Sequence, residues 1–282
     1  MEDLMQIGIR LHDTQPLTLE KRLEIVKEQG FSCAHVALSK VIKEFPVDNG
    51  ALTPGLAMYL KKLFQKNNID IAVLGCYLNL AHPDPVQLKK IQDTYLAHIR
   101  FASILGCGVV GTETGAPNAE YKYEPACRSD ESLRLFIKNL RPVVTYAEKM
   151  GVIMAIEPVR NHIVYDAKRA RKVLDEIASP NLQIILDPVN LLGMDNYTKQ
   201  TEVIEEAIDL LGEAVNVVHM KDFIVHEDHL ESVAAGNGEL NYKPIIQFIK
   251  TRKPFIHCTL ENTVPENAVA AREYIEKMFK DA

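Results

Sequence analysis

Along this chain, short runs of aliphatic and β-branched residues alternate with longer stretches whose apolar residues recur every three or four positions. The short runs predict strands and the longer ones amphipathic helices. Residues 6–11 (QIGIRL) form the first predicted strand, followed by a helix over 19–29 with Thr18 as its cap and Gly30 at its end. A second strand over 31–38 precedes a helix that opens at Thr53-Pro54 and sets Leu56, Leu60, Leu63 and Phe64 on one face. The same alternation continues: a strand over 69–75, a helix from Asp84-Pro85 toward Leu105, a strand over 107–111 and a helix over 131–150.

The second half of the chain repeats the pattern with a sharper ending. Residues 152–157 (VIMAIE), 182–187 (LQIILD), 215–223 (VNVVHMKDF) and 255–261 (FIHCTLE) are apolar runs that stop abruptly at Glu157, Asp187, His219 and Glu261. Helical patterns over 167–177, 200–211 and 243–251 separate them, and one over 264–279 closes the chain. The first three endings recur at close to the roughly 30 residues of one βα unit in a barrel of about 250 residues, and the fourth follows after a longer interval. Eight such units with no break in composition predict one domain over 1–282, a closed (β/α)8 TIM barrel rather than an open doubly wound sheet. A barrel keeps its chemistry where strands leave the sheet, so four consecutive strands can aim these four residues at one point.

Composition changes the picture mainly by exclusion. Apolar residues at 47% and charged residues at 25% support a large core and argue against disorder. A formal net charge of −6 argues against nucleic acid or an anionic membrane as partner, since both call for clustered Lys and Arg. Residues 1–10 lack an apolar signal core and no run approaches the roughly 20 apolar residues of a membrane span, so a cytoplasmic location is expected. Five cysteines in no CxxC spacing point to neither a disulfide framework nor a thiolate zinc site; Cys33, Cys76, Cys107 and Cys258 read as packing residues. No strand is followed by GxGxxG or GxxxxGK[ST], which weighs against a nucleotide site, and 235–238 (AGNG) reads as a turn.

Three carboxylates and one imidazole make an oxygen-rich ligand set. Such a set suits manganese first, then cobalt or magnesium, then zinc, with coordination positions left for substrate. Two adjacent oxygens of a polyol or hydroxy-ketone can then chelate the ion, which acidifies the neighbouring C–H and stabilises an enediolate, while a nearby carboxylate acts as base. Taken singly, each residue has a plainer use: Asp187 before Pro188 can initiate a turn, and Glu157 before Pro158 can accept loop amides. Together at successive strand ends they would be costly without a cation. Lys221 is placed to reach a substrate oxygen, with Asp222 orienting it. Asn190, His12, Asn79 and Glu113, with His82 nearby, fall near other strand ends as candidate substrate contacts. The expected partner is a small-molecule sugar or polyol, and homo-oligomer formation stays open.

At these residues the chain resembles the sugar phosphate isomerase/epimerase family of xylose-isomerase-like barrels. The likeness spans nearly the whole chain and rests on AIEPV with Glu157, ILDPVN with Asp187, VVHMKD with His219, GNGELNY after the seventh strand, and TLEN with Glu261. It implies a (β/α)8 fold and a divalent metal on those four positions, and, from the ketose 3-epimerase branch, Glu157 and Glu261 as acid/base groups on opposite faces of the substrate carbon. That branch carries a histidine where this chain has Asn190 and an arginine shortly after the third ligand, where this chain has Lys221-Asp222. The HxKD form is similar to the branch of inosose dehydratases, which makes a lyase acting on a keto-sugar or keto-inositol the alternative. A non-catalytic sugar-binding barrel is the third reading. Endonuclease IV shares the fold but uses a histidine-rich trinuclear zinc cluster that His226, Asp228 and His229 do not reproduce.

Overall fold

Inward-facing residues lie two apart along a strand, so the side chains filling a barrel determine which residues point into its mouth. The computed structural model describes residues 5–282; the first four residues of the stretch read for a leader lie outside them. The parallel strands are β1 (Gln6–Arg10), β2 (Cys33–Val36), β3 (Asp70–Gly75), β4 (Val109–Glu113), β5 (Ile153–Glu157), β6 (Leu182–Leu186) and β7 (Val215–Met220). A hairpin of β8 (Asp222–Val225) and β9 (Leu230–Val233) follows, and β10 (His257–Leu260) then pairs with both β7 and β1 to close an eight-stranded barrel.

Helices α1 (Leu19–Glu28), α3 (Pro54–Asn67), α4 (Pro85–Leu105), α5 (Asp130–Met150), α6 (Ala167–Ile177), α7 (Gln200–Leu211), α8 (Lys243–Arg252) and α9 (Ala268–Asp281) surround it, with a single turn α2 (Leu38–Val41) after β2. The caps follow from the sequence. Thr53, Asp84, Ser129 and Asp166 each accept a backbone N–H of the first turn, and Pro54 and Pro85 occupy first-turn positions where no N–H is needed.

A compact interior cluster includes Cys33, Val73, Val109, Ala155, Ile185 and Val217. Two places further along the same strands stand His35, Gly75, Gly111, Glu157, Asp187 and His219, and two places beyond the glycines stand Tyr77 and Glu113. Parity therefore turns a small, apolar floor into a polar mouth. At Gly111 a Cβ would lie 2.6 Å from Val73 Cγ1 and 2.7 Å from Ile185 Cδ1, so the floor has no space for a larger residue there.

Several boundaries differ from expectation, and two of them have a clear local cause. The fourth strand is Val109–Glu113 rather than 107–111, because the Cys107 N–H bonds to the Ala102 carbonyl and belongs to the turn that ends α4. Glu113 is thereby a strand residue paired with Glu157. The last helix begins at Ala268 instead of 264, since the Val264 N–H is taken by the Asn267 side chain in a preceding turn. The hairpin after β7 was not expected. All five cysteines are free and buried, as the packing reading of four of them requires. Among the described residues no helix is long and apolar enough to cross a membrane.

Candidate metal centre

Glu157 ends β5, Asp187 follows β6, His219 lies within β7 and Glu261 follows β10. All four are buried, and they converge beneath a cavity of about 360 Å³ at the C-terminal mouth of the barrel. His219 is the centre of the group: its Nδ1 is 3.4 Å from Glu157 Oε1 and 3.3 Å from Glu261 Oε1. Donor atoms of Glu157, Asp187 and His219 all lie within 4.8 Å of one another, and so do those of His35, His219 and Glu261. The two triads share His219 and together hold five residues, the expected quartet and His35.

Two side chains hold the quartet in register. Asn190 donates to Glu157 Oε1 at 2.6 Å and accepts from Lys221 Nζ at 2.8 Å. Lys221 Nζ stands 2.9 Å from Asp187 Oδ2 and 3.6 Å from Glu261 Oε2. Asp187 Oδ1 accepts the backbone N–H groups of Val189 and Asn190, so the turn at Asp187-Pro188 and the candidate ligand are one device: one oxygen fixes the loop, the other faces the site. Arg10 Nη1 lies 3.1 Å from Glu261 Oε2 while its Nε donates to Asp13.

Electrostatics follow from burial and these neighbours. Burial alone would lower the His219 pKa, but Glu261 and Glu157 outweigh it and raise it to about 9. Burial likewise opposes charge on Lys221 and Glu261, yet Asp187 and Glu261 raise the lysine, and His219, Lys221 and Arg10 lower the glutamate. Asp187 is raised, chiefly by burial and only partly offset by Lys221. The field at this point favours positive charge. His219 Nε2 is buried without a hydrogen-bond partner, and Asp187 Oδ2 meets the Lys221 ammonium alone. Three carboxylates and an imidazole around a positive-favouring point fit a divalent ion, with Glu157, Asp187, His219 and Glu261 as its donors.

Of the remaining candidates, Lys221, Asn190, His12 and Glu113 line the cavity. Asn79 does not: its amide donates to the Ala116 and Asn118 carbonyls and its oxygen accepts the Ala81 N–H, so every polar atom is spent on the loops after β3 and β4. His82 accepts the Asp84 N–H at the entry to α4. Asp222 does not orient the Lys221 ammonium. Its carboxylate accepts N–H groups from Phe223, Gly236 and Leu240, tying the hairpin to the GNGELNY stretch. Within that stretch a Cβ at Gly238 would lie 2.2 Å from the Phe223 carbonyl oxygen, and Tyr242 donates to the Lys221 carbonyl at 2.8 Å. This motif fixes the backbone that carries Lys221.

Sequence reasoning missed Arg10, His35, Lys40, Tyr77 and Tyr121, which complete the cavity wall. The two-residue step from the interior cluster singles out His35, and the same step taken twice from Val73 reaches Tyr77. Tyr121 carries a different signal: its φ of 56 is a left-handed conformation that a bulky residue seldom adopts, and its hydroxyl donates to Glu113 Oε2 at 3.2 Å.

Solved structures with this architecture include a D-tagatose 3-epimerase-like protein (20% identical, 98% of this chain and 99% of that one covered, TM-score 0.75). The IOLI protein with a bound zinc atom is 16% identical over 98% and 99% of the two chains, with a TM-score of 0.74. The probable 3-DHS dehydratase AsbF of petrobactin synthesis from Bacillus anthracis is 14% identical over 99% of each chain, with a TM-score of 0.72. At these identities the likeness is one of fold. No curated protein matches the sequence. Residues 23–278 match the sequence profile of the xylose isomerase-like TIM barrel, and the chain belongs to that family.

Proposed function

We propose that this chain is a divalent-metal-dependent isomerase or epimerase of a sugar or polyol, acting by removal of a proton alpha to a carbonyl. The observation that carries the reading is the pair of buried carboxylates, Glu157 and Glu261, set on either side of His219 beneath one cavity. Glu157, Asp187, His219 and Glu261 would hold the ion; manganese suits this donor set best, then cobalt or magnesium, and zinc, the ion in the IOLI structure, completes the series. When bound, the ion supplies polarisation of the substrate carbonyl and stabilisation of the negative charge that grows on its oxygen.

The protein's own groups do the rest. Glu157, steadied by Asn190, takes or returns the proton on one face of the substrate carbon, and Glu261, steadied by Arg10, does so on the other. Lys221 stays charged between Asp187 and Glu261 and offers its ammonium to a substrate oxygen. Burial of the cavity floor excludes water from the exchanged proton. A lyase or dehydratase on a keto-sugar or keto-inositol is the second reading. One observation favours it: an ammonium within the site can protonate a departing hydroxyl after the same first step, and AsbF, a probable dehydratase, has this fold.

Incubating the manganese-loaded protein with ketoses and keto-inositols in deuterated water tests both readings. Deuterium at the carbon with epimer or isomer formed supports the first, and loss of water supports the second. Silence across the panel supports a sugar-binding barrel instead. If Glu157 and Glu261 serve opposite faces, Glu157→Gln and Glu261→Gln each abolish turnover, but each variant still exchanges the proton of one epimer. Identical loss of exchange from both epimers in both variants sinks the two-base assignment.

A further inference from the structure

We infer that His35, on β2, is a fifth protein donor to the ion, which no family motif in this chain assigns; the inference rests on the metal reading above. His35 is 1% exposed, and neither of its ring nitrogens has a hydrogen-bond partner. A buried imidazole without partners is costly, about 1–3 kcal/mol for each unpaired group, unless something absent from ordinary core packing meets it. The ring is also aimed. His35 stands two places beyond Cys33 of the interior cluster, so the parity of β2 turns it inward toward the mouth, and the extra residue at the adjoining register shift, Ala72, lies on β3.

The ring is then clamped between Tyr77 (centroids 5.6 Å apart, 28° between planes) and His219 (5.3 Å, 20°). Gly75 leaves the space it needs, since a Cβ there would fall 2.6 Å from His35 Nε2. The opposite nitrogen faces the centre: Nδ1 stands 3.8 Å from Glu261 Oε1, the same oxygen that lies 3.3 Å from His219 Nδ1. Two donors each about 2.1 Å from one ion, at angles near 90–110°, lie about 3.0–3.5 Å apart. The separations from His219 to Glu261 and Glu157 fall in that range, and that from His35 to Glu261 needs a closing of a few tenths of an ångström. Five protein donors would leave an octahedral ion one position for substrate. Binding would then run through a single oxygen, with the neighbouring hydroxyl left to Lys221 and Asn190, rather than through the two-oxygen chelate expected from four donors.

Pulsed electron paramagnetic resonance of the full chain loaded with Mn²⁺ counts directly bound imidazoles without reference to activity. Two are expected in the parent protein, one in His35→Ala and one in His219→Ala, with Mn²⁺ affinity reduced ten- to a hundredfold in His35→Ala. His12→Ala, whose ring packs edge-on to His35 at 6.3 Å, should keep both. A single imidazole in the parent, or two in His35→Ala, overturns the inference while leaving the four-donor site intact. The parent count alone decides if the variant does not fold. A parent protein that binds no Mn²⁺ overturns the inference and the metal reading together.

Discussion

The two halves of the barrel bring different materials to one cavity. Strands β5, β6, β7 and β10 end in charged donors: Glu157, Asp187, His219 with Lys221, and Glu261. Strands β1 to β4 end in Arg10, His35, the Tyr77 that follows Gly75, and Glu113, a wall of rings and hydrogen-bonding groups. The half built from β5, β6, β7 and β10 is held by ion pairs that exist only because opposite charges meet in a buried place, and removing one partner strands the other. The half built from β1 to β4 is held by packing and loop geometry. Loss of a charge should therefore be severe in one half, whereas loss of space should be the main hazard in the other.

The sharpest way to break this contrast is to remove a donor. Glu157→Gln, Asp187→Asn, His219→Ala and Glu261→Gln should each lower metal affinity by more than the roughly 10–100-fold typical of outer-shell changes and abolish turnover. Tyr77→Phe in the other half should leave metal content unchanged. Metal analysis after gel filtration decides, and stoichiometric tight metal in all four donor variants would refute the site. Next in size is Lys221→Met. With chelator present, Asp187 and Glu261 lose the ammonium between them, and a broken buried pair costs about 3–5 kcal/mol. Saturating Mn²⁺ should restore most of it, since an ion that binds only the folded state stabilises that state. Denaturant unfolding with and without metal reads both, and equal losses in the two conditions would deny that lysine and ion serve the same carboxylates.

How much was legible in the sequence divides along the same line. The strands ending in Glu157, Asp187, His219 and Glu261 could be read because each apolar run stops at one ionisable residue, and burying that residue at a strand end is costly unless it has a use. In the first half the runs end less abruptly. Ala34-His35-Val36 is apolar on both sides of the histidine, so the run by itself reads His35 as core filler, and the parity that turns it into the mouth is evident only once Cys33 is seen in the barrel interior. Asn79 looked equivalent to Asn190 by position. Only the loop conformations distinguish them: Asn79 spends its amide on carbonyls of a neighbouring loop, while Asn190 spends its amide on Glu157 and Lys221. The hairpin escaped because Asp222 and the Gly236 and Leu240 N–H groups of GNGELNY meet across 14 to 18 residues of sequence.

In the packed half, filling space should matter more than charge. Gly75→Ala places a methyl 2.6 Å from His35 Nε2 and 2.7 Å from Tyr77 Cε2, and relieving such overlap costs about 1–3 kcal/mol. Calorimetry on metal-free protein should show the loss. No change in melting temperature would mean that His35 and Tyr77 move freely, and the wall would then not be a fixed one.

The smallest expected effect tests whether charge is truly secondary on this side. His162 faces Glu113, with Nδ1 3.7 Å from Oε2, and its ring lies against Tyr121 at 5.3 Å. Burial, only weakly opposed by Glu157, lowers its pKa to about 4. Between about pH 6.5 and 4 the unfolded chain therefore carries more protons at this position than the folded one, so unfolding takes up protons and stability falls as pH drops through that window. The full shift corresponds to a ceiling of about 3 kcal/mol. Glu113 acts in the opposite sense: burial raises its pKa, so the folded state holds its proton more tightly and gains stability as pH falls. The two partly cancel, and the difference between the parent and His162→Gln isolates the histidine. Metal-free protein unfolded in urea at pH 7 and pH 4.5 should show the parent losing about 1–2 kcal/mol more than His162→Gln across that interval. Equal losses would place the His162 pKa at its ordinary value and leave the first half of the barrel indifferent to proton binding at this point.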